Sequence, residues 1–413
     1  MNIVHKKKIV LLGMMSRIPV AGVVWQTVHY LVGLERLGYE VYYVEAHGST
    51  PVSFVANKGE DGSDKAAAFI DRVMRRFDLA GRWAFQAFHT DGRCYGMSES
   101  RLKELYQSAA LIINLHGGTI PLPEHSATGR LIYIETDPVD IQIELHDRMQ
   151  QTIDFLAPHC AFFSFGENFG NHDCKLPLPE RFHFRATRQP VVLDFWNGKK
   201  GVRTLLPERP GGCFAQKGPD PFFTQADTFT TIANWKQPHR RVRFQGEVYH
   251  WSKHYEFLKV LDLPGRTRQP FELALASFQN EDRQLLEAKG WQVRPALDFS
   301  TDLDEYRSYI TGSRGEFTVA KDQNIRLRTG WFSDRSATYL AAGRPVITQE
   351  TGFSNILPTG AGLFAFSTLD DIVAAVDRIN ADYGRHSRAA TNVAREYFDA
   401  DVVLKKLLTE VGL

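Results

Sequence analysis

Charge of one sign is what this sequence lacks most plainly. Its 49 Lys and Arg stand against 48 Asp and Glu, for a formal net charge of +1. A chain so balanced has no bulk field to draw it to nucleic acid or to an acidic membrane. Cysteine is scarce as well. Cys94, Cys160, Cys174 and Cys213 lie far apart and form no paired metal-ligand spacing, which excludes a disulfide framework and argues against zinc. Long apolar runs are also missing. The stretch after Lys6-Lys7-Lys8 is interrupted by Ser16, Arg17 and Pro19, too early for an export core or a membrane span. It reads as an inner β-strand, and a cytoplasmic protein is expected.

Present instead is the composition of a globular protein, 43% apolar and 23% charged, over 413 residues. That length suits two domains, each burying its own core. Strand and helix alternate from the start. Lys8–Leu12 reads as a strand, Val23–Leu37 as a helix stopped by Gly38, and Glu40–Val44 as the next strand, a βαβ unit. Further inner strands are expected at Ala109–Leu115, Arg130–Ile134, Cys160–Phe165 and, closing this half, Val191–Asp194. The loops Gly48–Asp64 and Leu79–Ser98 are expected to shape the acceptor side.

A segment rich in glycine, proline and lysine, residues 197–227, is the candidate linker. A second series follows. Its strands are Thr228–Asn234, Glu272–Ala276, Gln292–Pro295, Glu316–Ala320, Val346–Thr348 and Leu363–Phe366, interleaved with helices. The pattern predicts two doubly wound α/β domains, 1–196 and 228–399, with a last helix in 400–413.

The most informative segment runs from Thr329 to Thr348. Ser333 or Asp334 is placed to cap a helix, Gly343 to end it, and Pro345-Val346-Ile347 to begin a buried strand. The free amides and positive dipole end of such a helix suit a phosphate. Lys321, Arg326 and Arg328 lead into Asp334-Arg335-Ser336, and cations there would complete an anion site. In the first half, Glu135 and Asp137 follow one strand end. A general base beside an acceptor hydroxyl would be such a carboxylate, or an imidazole.

The run Ala341-Ala-Gly343-Arg-Pro345-Val346 resembles the donor-sugar region of GT-B glycosyltransferases, especially the large retaining family with two Rossmann-like domains. The family's paired glutamates are missing, since their positions fall on Gly330 and Thr338, and Ser333 replaces the turn glycine. The resemblance implies a glycosyltransferase that moves a sugar from a nucleotide-diphosphate donor to a hydroxyl, with no metal and no separate cofactor. It implies that Gly22 and Arg17 touch donor phosphate or acceptor, and that His116 hydrogen-bonds the transferred sugar. Lys236 and Lys253 would grip the diphosphate, with Thr338 or Glu350 on the ribose hydroxyls. The last helix would cross back to the first domain.

Other readings share these residues. A sugar-nucleotide epimerase or a phosphorylase would use the same fold, and a non-catalytic nucleotide-sugar binder would retain the donor site alone. A transferase acting on DNA would need Arg72-Arg75-Arg76 and Arg240-Arg241-Arg243 to converge. A small molecule or glycan is the preferred acceptor, because phosphate contacts call for a basic face.

Overall fold

A computed structural model describes residues 6–55, 59–197, 227–238 and 240–413. Most of the candidate linker (residues 198–226) and Cys213 lie outside the described residues. Cys94, Cys160 and Cys174 are free thiols.

Eight strands build the first sheet: β1 (Lys8–Leu12), β2 (Glu40–Glu45), β3 (Trp83–Gln86), β4 (Cys94–Tyr95), β5 (Ala109–Leu115), β6 (Leu131–Glu135), β7 (Ala161–Ser164) and β8 (Phe184–Ala186). Their order is β4-β3-β2-β1-β5-β6-β7-β8, parallel throughout except for the β3–β4 pair. Burial on both faces explains the unbroken apolar run of β1. Ile9 and Leu11 join one core cluster while Val10 and Leu12 join another, and all four are 0% exposed.

The second half begins with β9 (Phe229–Asn234) and a hairpin of β10 (Arg241–Phe244) and β11 (Glu247–His250). It continues with β12 (Phe271–Ala276), β13 (Gln292–Pro295), β14 (Gly315–Thr318), β15 (Val346–Gln349) and β16 (Leu363–Phe366). Its six-stranded parallel sheet runs β13-β12-β9-β14-β15-β16. In both sheets the order reverses beside the first strand, between β1 and β5 and between β9 and β14. Such reversals leave a crevice at the carboxyl ends of the strands.

Several contacts join the halves. Phe244 and Tyr249 of the hairpin pack with Val139, Ile143 and Leu176 of the first half. The amide of Ala21 donates to Ser300 O at 2.6 Å, and the Trp331 indole donates to Thr136 O at 3.0 Å. The helix Ala400–Glu410 lies on the helix Ala21–Arg36. A methyl at Gly33 would come within 2.5 Å of Leu404 Cδ1, so glycine permits the approach. Val191 pairs with Asp399, and Arg185 donates to Glu410 O at 2.7 Å. No helix among the described residues is long and apolar enough to cross a membrane.

Three expectations need correction. The first sheet closes on β8, not on Val191–Asp194; Val191 makes one bridge and Leu193–Phe195 is a single tight turn. Leu79–Ser98 contains β3 and β4, which extend the far edge of the sheet. Among the described residues, neither that segment nor Gly48–Asp64 is part of the lining of the two cavities described below.

Candidate active site

A cleft of about 950 Å³ lies where the carboxyl ends of the two sheets face each other. On the first-half side it is bounded by the loop after β1, the start of the helix Ala21–Arg36, and the turns after β5 and β6. The β1 loop is held from beneath by Glu45. That buried carboxylate accepts from Ser16 N at 2.8 Å, from the Tyr43 hydroxyl at 2.5 Å and from the Ser16 hydroxyl, with His47 Nε2 at 2.9 Å. Gly13 fits against the Tyr43 ring, 2.6 Å from where a Cβ would stand. Arg17 is left exposed on this loop and lines the cleft with Gly22.

His116 takes a left-handed backbone, φ 66°, which turns the chain at the end of β5. Its Nδ1 hydrogen-bonds the Thr136 hydroxyl at 2.9 Å. Its Nε2 is shielded from solvent and has no partner. Burial pulls the imidazole down to about 4, so it is neutral at physiological pH. Asp137 forms an ion pair with Lys321 from the opposite half, and its Oδ1 is buried without a donor. Glu135 sits behind them, accepting from Gln142 Nε2 at 2.9 and 3.0 Å and from the Ser164 hydroxyl at 2.5 Å. Burial raises its carboxyl to about 8.

Across the cleft stands Lys253, 8% exposed. Burial, then repulsion from Arg335 and Lys321, lowers its ammonium to about 7. Its ammonium lies 5.9 Å over the Trp331 ring, and among the described residues it makes no ion pair. Arg335 is pinned below the cleft floor. Its Nε donates to Glu316 at 2.6 Å, Nη1 to Ile232 O at 2.5 Å and Nη2 to Thr318 at 3.0 Å. It ties the start of the helix Asp334–Ala341 to the ends of β9 and β14. Ser333 occupies the N-cap position but its side chain makes no capping bond, contrary to the expected cap. The Asp334 carboxyl takes hydrogen bonds from the amides of residues 334 and 335 in its place, so an anion at this helix start would have to displace it.

The predicted residues thus divide. Arg17, Gly22, His116, Asp137, Lys253, Lys321, Ser333, Asp334 and Arg335 line the cleft together. The rest do not line it. Lys236 is paired to Asp282 at 2.7 Å. Arg326 turns to Asp322 and Glu247 and lies 4.1 Å over Tyr249. Arg328 bonds Asp173 at 2.6 Å. Glu350 accepts from the amide of Gly352, Thr338 donates to Arg335 O at 2.6 Å within its own helix, and Ser336 Oγ is buried without a partner. A glutamate could not occupy Gly330, where φ is 80° and a Cβ would overlap the Asn168 backbone.

Sequence reasoning passed over the two tryptophans of the cleft. Trp251 is stacked between Arg240, 3.5 Å above its ring, and Lys321 at 3.6 Å, and Trp331 spans the halves. Their signal was position alone, each just ahead of a helix on the cleft side.

The arrangement has known counterparts. It is similar over 98% of its length to HepE of Anabaena solved with UDP and glucose, which is covered to 99% at 9% identity and a TM-score of 0.52. An alpha-glucosyltransferase solved with UDP and a 13-mer DNA containing a HMU base aligns over 99% of this chain and 100% of its own, at 10% identity and a TM-score of 0.56. The chain has the GT-B fold. Sucrose-phosphate synthase of Thermosynechococcus elongatus shares it, covering 98% of this chain and 99% of its own at 10% identity and a TM-score of 0.51. In sequence the chain matches no family model and no curated protein. The GT-B fold sets the frame in which Lys253 and the helix start at Asp334 confront His116, while the chemistry has to be argued from those groups.

Proposed function

We propose that this protein is a glycosyltransferase that moves a sugar from a nucleotide-diphosphate sugar to an acceptor hydroxyl. One observation carries the reading: a buried lysine with no ion pair among the described residues and a helix start whose N-cap serine makes no capping bond converge on one side of the cleft, opposite a neutral imidazole whose Nε2 has no partner among the described residues. The ammonium of Lys253 and the amides of residues 334–336 would hold the diphosphate. They would stabilise the charge that builds on it as the glycosidic bond breaks. Ala276, Ala296 and Leu297 offer an apolar slot for the base at the other end of the cleft. His116 Nε2 would meet a sugar hydroxyl, held neutral by its burial.

In this reading the leaving group needs no metal and no further cofactor. Lys253 would take the place of a metal cation on the leaving diphosphate, so chelator should leave turnover unchanged. The acceptor enters from the first half. A small molecule or glycan fits better than nucleic acid, because the net charge is only +1 and three of the six arginines that would have to hold a backbone are already engaged. Arg75 faces Asp71, Arg76 faces Asp304 and Arg240 faces Asp140.

Thermal melting against nucleotide diphosphates tests the donor site, with UDP first because HepE and the alpha-glucosyltransferase were solved with it. A ligand bound only to the folded state raises the melting temperature. Lys253→Ala should abolish that shift and lower transfer by on the order of 10²–10³. A wild-type protein whose melting no nucleotide moves would overturn the proposal.

A further inference from the structure

A second cavity, of about 860 Å³, opens off the first-half side of the cleft. It shares His116, Thr136, Asp137 and Arg240 with the cleft, so a hydroxyl at its inner end reaches the place where the sugar would be transferred. Ile120, Ile141, Met149 and Phe155 give it an apolar wall. The remaining wall carries the carboxyl groups of Glu135, Asp137, Asp140, Glu144 and Asp154.

These carboxyls are not uniformly neutralised. Lys321 covers Asp137, and Arg240 approaches Asp140 at 3.5 Å. Glu144 accepts only from the Thr152 hydroxyl at 2.6 Å, and Asp154 only from Gln150 at 2.7 Å. Neither has a cation within ion-pair distance among the described residues. Three polar atoms of residues that line the chamber are shielded from water and, among the described residues, without partners: His116 Nε2, Asp137 Oδ1 and Asp140 Oδ1. A buried acceptor left without a donor is costly, so native proteins leave few of them without a reason. What would complete this chamber is a molecule rich in O–H or N–H donors. A phosphate brings only acceptors and negative charge, and the carboxyls would repel it.

We propose that this chamber is the acceptor subsite, and that it takes a polyhydroxy compound without anionic groups, a neutral or amine-bearing sugar or cyclitol, while rejecting phosphorylated sugars. The inference rests on the transferase reading and adds to it the class of acceptor. The apolar wall would meet the C–H faces of the ring while the carboxyls take its hydroxyl or ammonium protons.

Saturation-transfer NMR on the UDP-loaded protein tests this with D-glucose, D-glucosamine, myo-inositol and D-glucose 6-phosphate as probes. At least one of the first three should bind, and the phosphate ester at least tenfold more weakly than glucose. Glu144→Gln with Asp154→Asn, which keeps the shape, should narrow that gap. Asp140→Lys with Glu144→Lys should reverse it. The UDP melting shift, retained in both double variants, shows that they fold. Equal binding of glucose and its phosphate ester would overturn the proposal, and so would binding by none of the uncharged or amine-bearing probes to a protein that UDP stabilises. Loss of the UDP shift in the wild type would instead strike at the transferase reading itself.

Discussion

At Lys253 the chain holds a largely buried amine, and the attraction of Glu316 and Asp334 does not make up for burial and for the repulsion of Arg335 and Lys321. Burial brings it to about 7. A diphosphate at the same place would favour the charged form and raise that value again. At pH 8 the free protein therefore carries a mostly neutral amine there, and the nucleotide complex an ammonium. Binding of UDP at pH 8 should take up close to one proton, read by calorimetry as a dependence of the apparent enthalpy on the buffer's ionisation heat. Lys253→Met should remove that dependence, and proton release on binding would contradict the assignment. Which cations are free was not legible in the sequence. Lys236 and Arg328 stood beside Lys253 as candidates, Lys253 ahead of Lys236 by its place before a helix, but Asp282 and Asp173 neutralise the first two across 46 and 155 residues of chain. Pairings that distant are decided by the tertiary fold and leave no local trace. His116 could be read, because a histidine directly after an apolar strand stands at a carboxyl end.

The helix Asp334–Ala341 shows the same division at the scale of an element. Its stop was legible. Gly343 takes φ 68°, the left-handed conformation in which glycine carries no steric penalty. The missing serine cap at its start was not, because the side-chain oxygen of a serine at the N-cap position normally accepts from the first-turn amides. Supplying the missing cap should set stability against ligand. Ser333→Asp should keep or raise the melting temperature of the free protein, by up to about 1 kcal/mol of helix stability. The same change should weaken UDP roughly tenfold, since a second carboxylate would then sit on the amides proposed for phosphate. Unchanged UDP affinity would sink the helix start as a phosphate site. Elsewhere β1, β5, β13 and β16 match the residues expected from apolar runs bounded by turns. The short edge strands β3 and β4 escaped notice because four and two residues hold too little pattern for periodicity to register.

Across the whole molecule, titrating groups buried in their neutral forms set how stability responds to acid. Burial lowers His29 to about 3 and His116, His125 and His159 to about 4, from an ordinary 6.5. Between pH 6.5 and 4 the unfolded chain binds protons at these four sites and the folded chain does not, so stability falls as pH falls. Glu135 and Asp140 act in the opposite sense. Burial raises them to about 8 and about 6, so near pH 5 the folded state holds two protons that the unfolded state has released. His254 and His386 are lowered by burial as well, and Glu167, Asp322, Asp334 and Asp399 raised; the histidines act first as pH falls, because an unfolded imidazole takes up its proton near 6.5, above the ordinary carboxylate range. Denaturant midpoints should drop from pH 6.5 to pH 5, with a smaller drop for His29→Gln if that variant folds, or for His125→Gln otherwise. A midpoint that rises towards pH 5 would show the carboxyls to be in control.

The helix Ala400–Glu410 has a consequence for how the protein is made. It packs into the first half beside Gly33, yet it is made after the whole second half. The first half can bury its outer helix only once synthesis has passed Leu408, so its folding has to wait until the second half has been made. A premature stop shortly before Ala400 would be nearly as damaging as one at residue 197. Either would leave an apolar face on the helix Ala21–Arg36 for chaperones to hold.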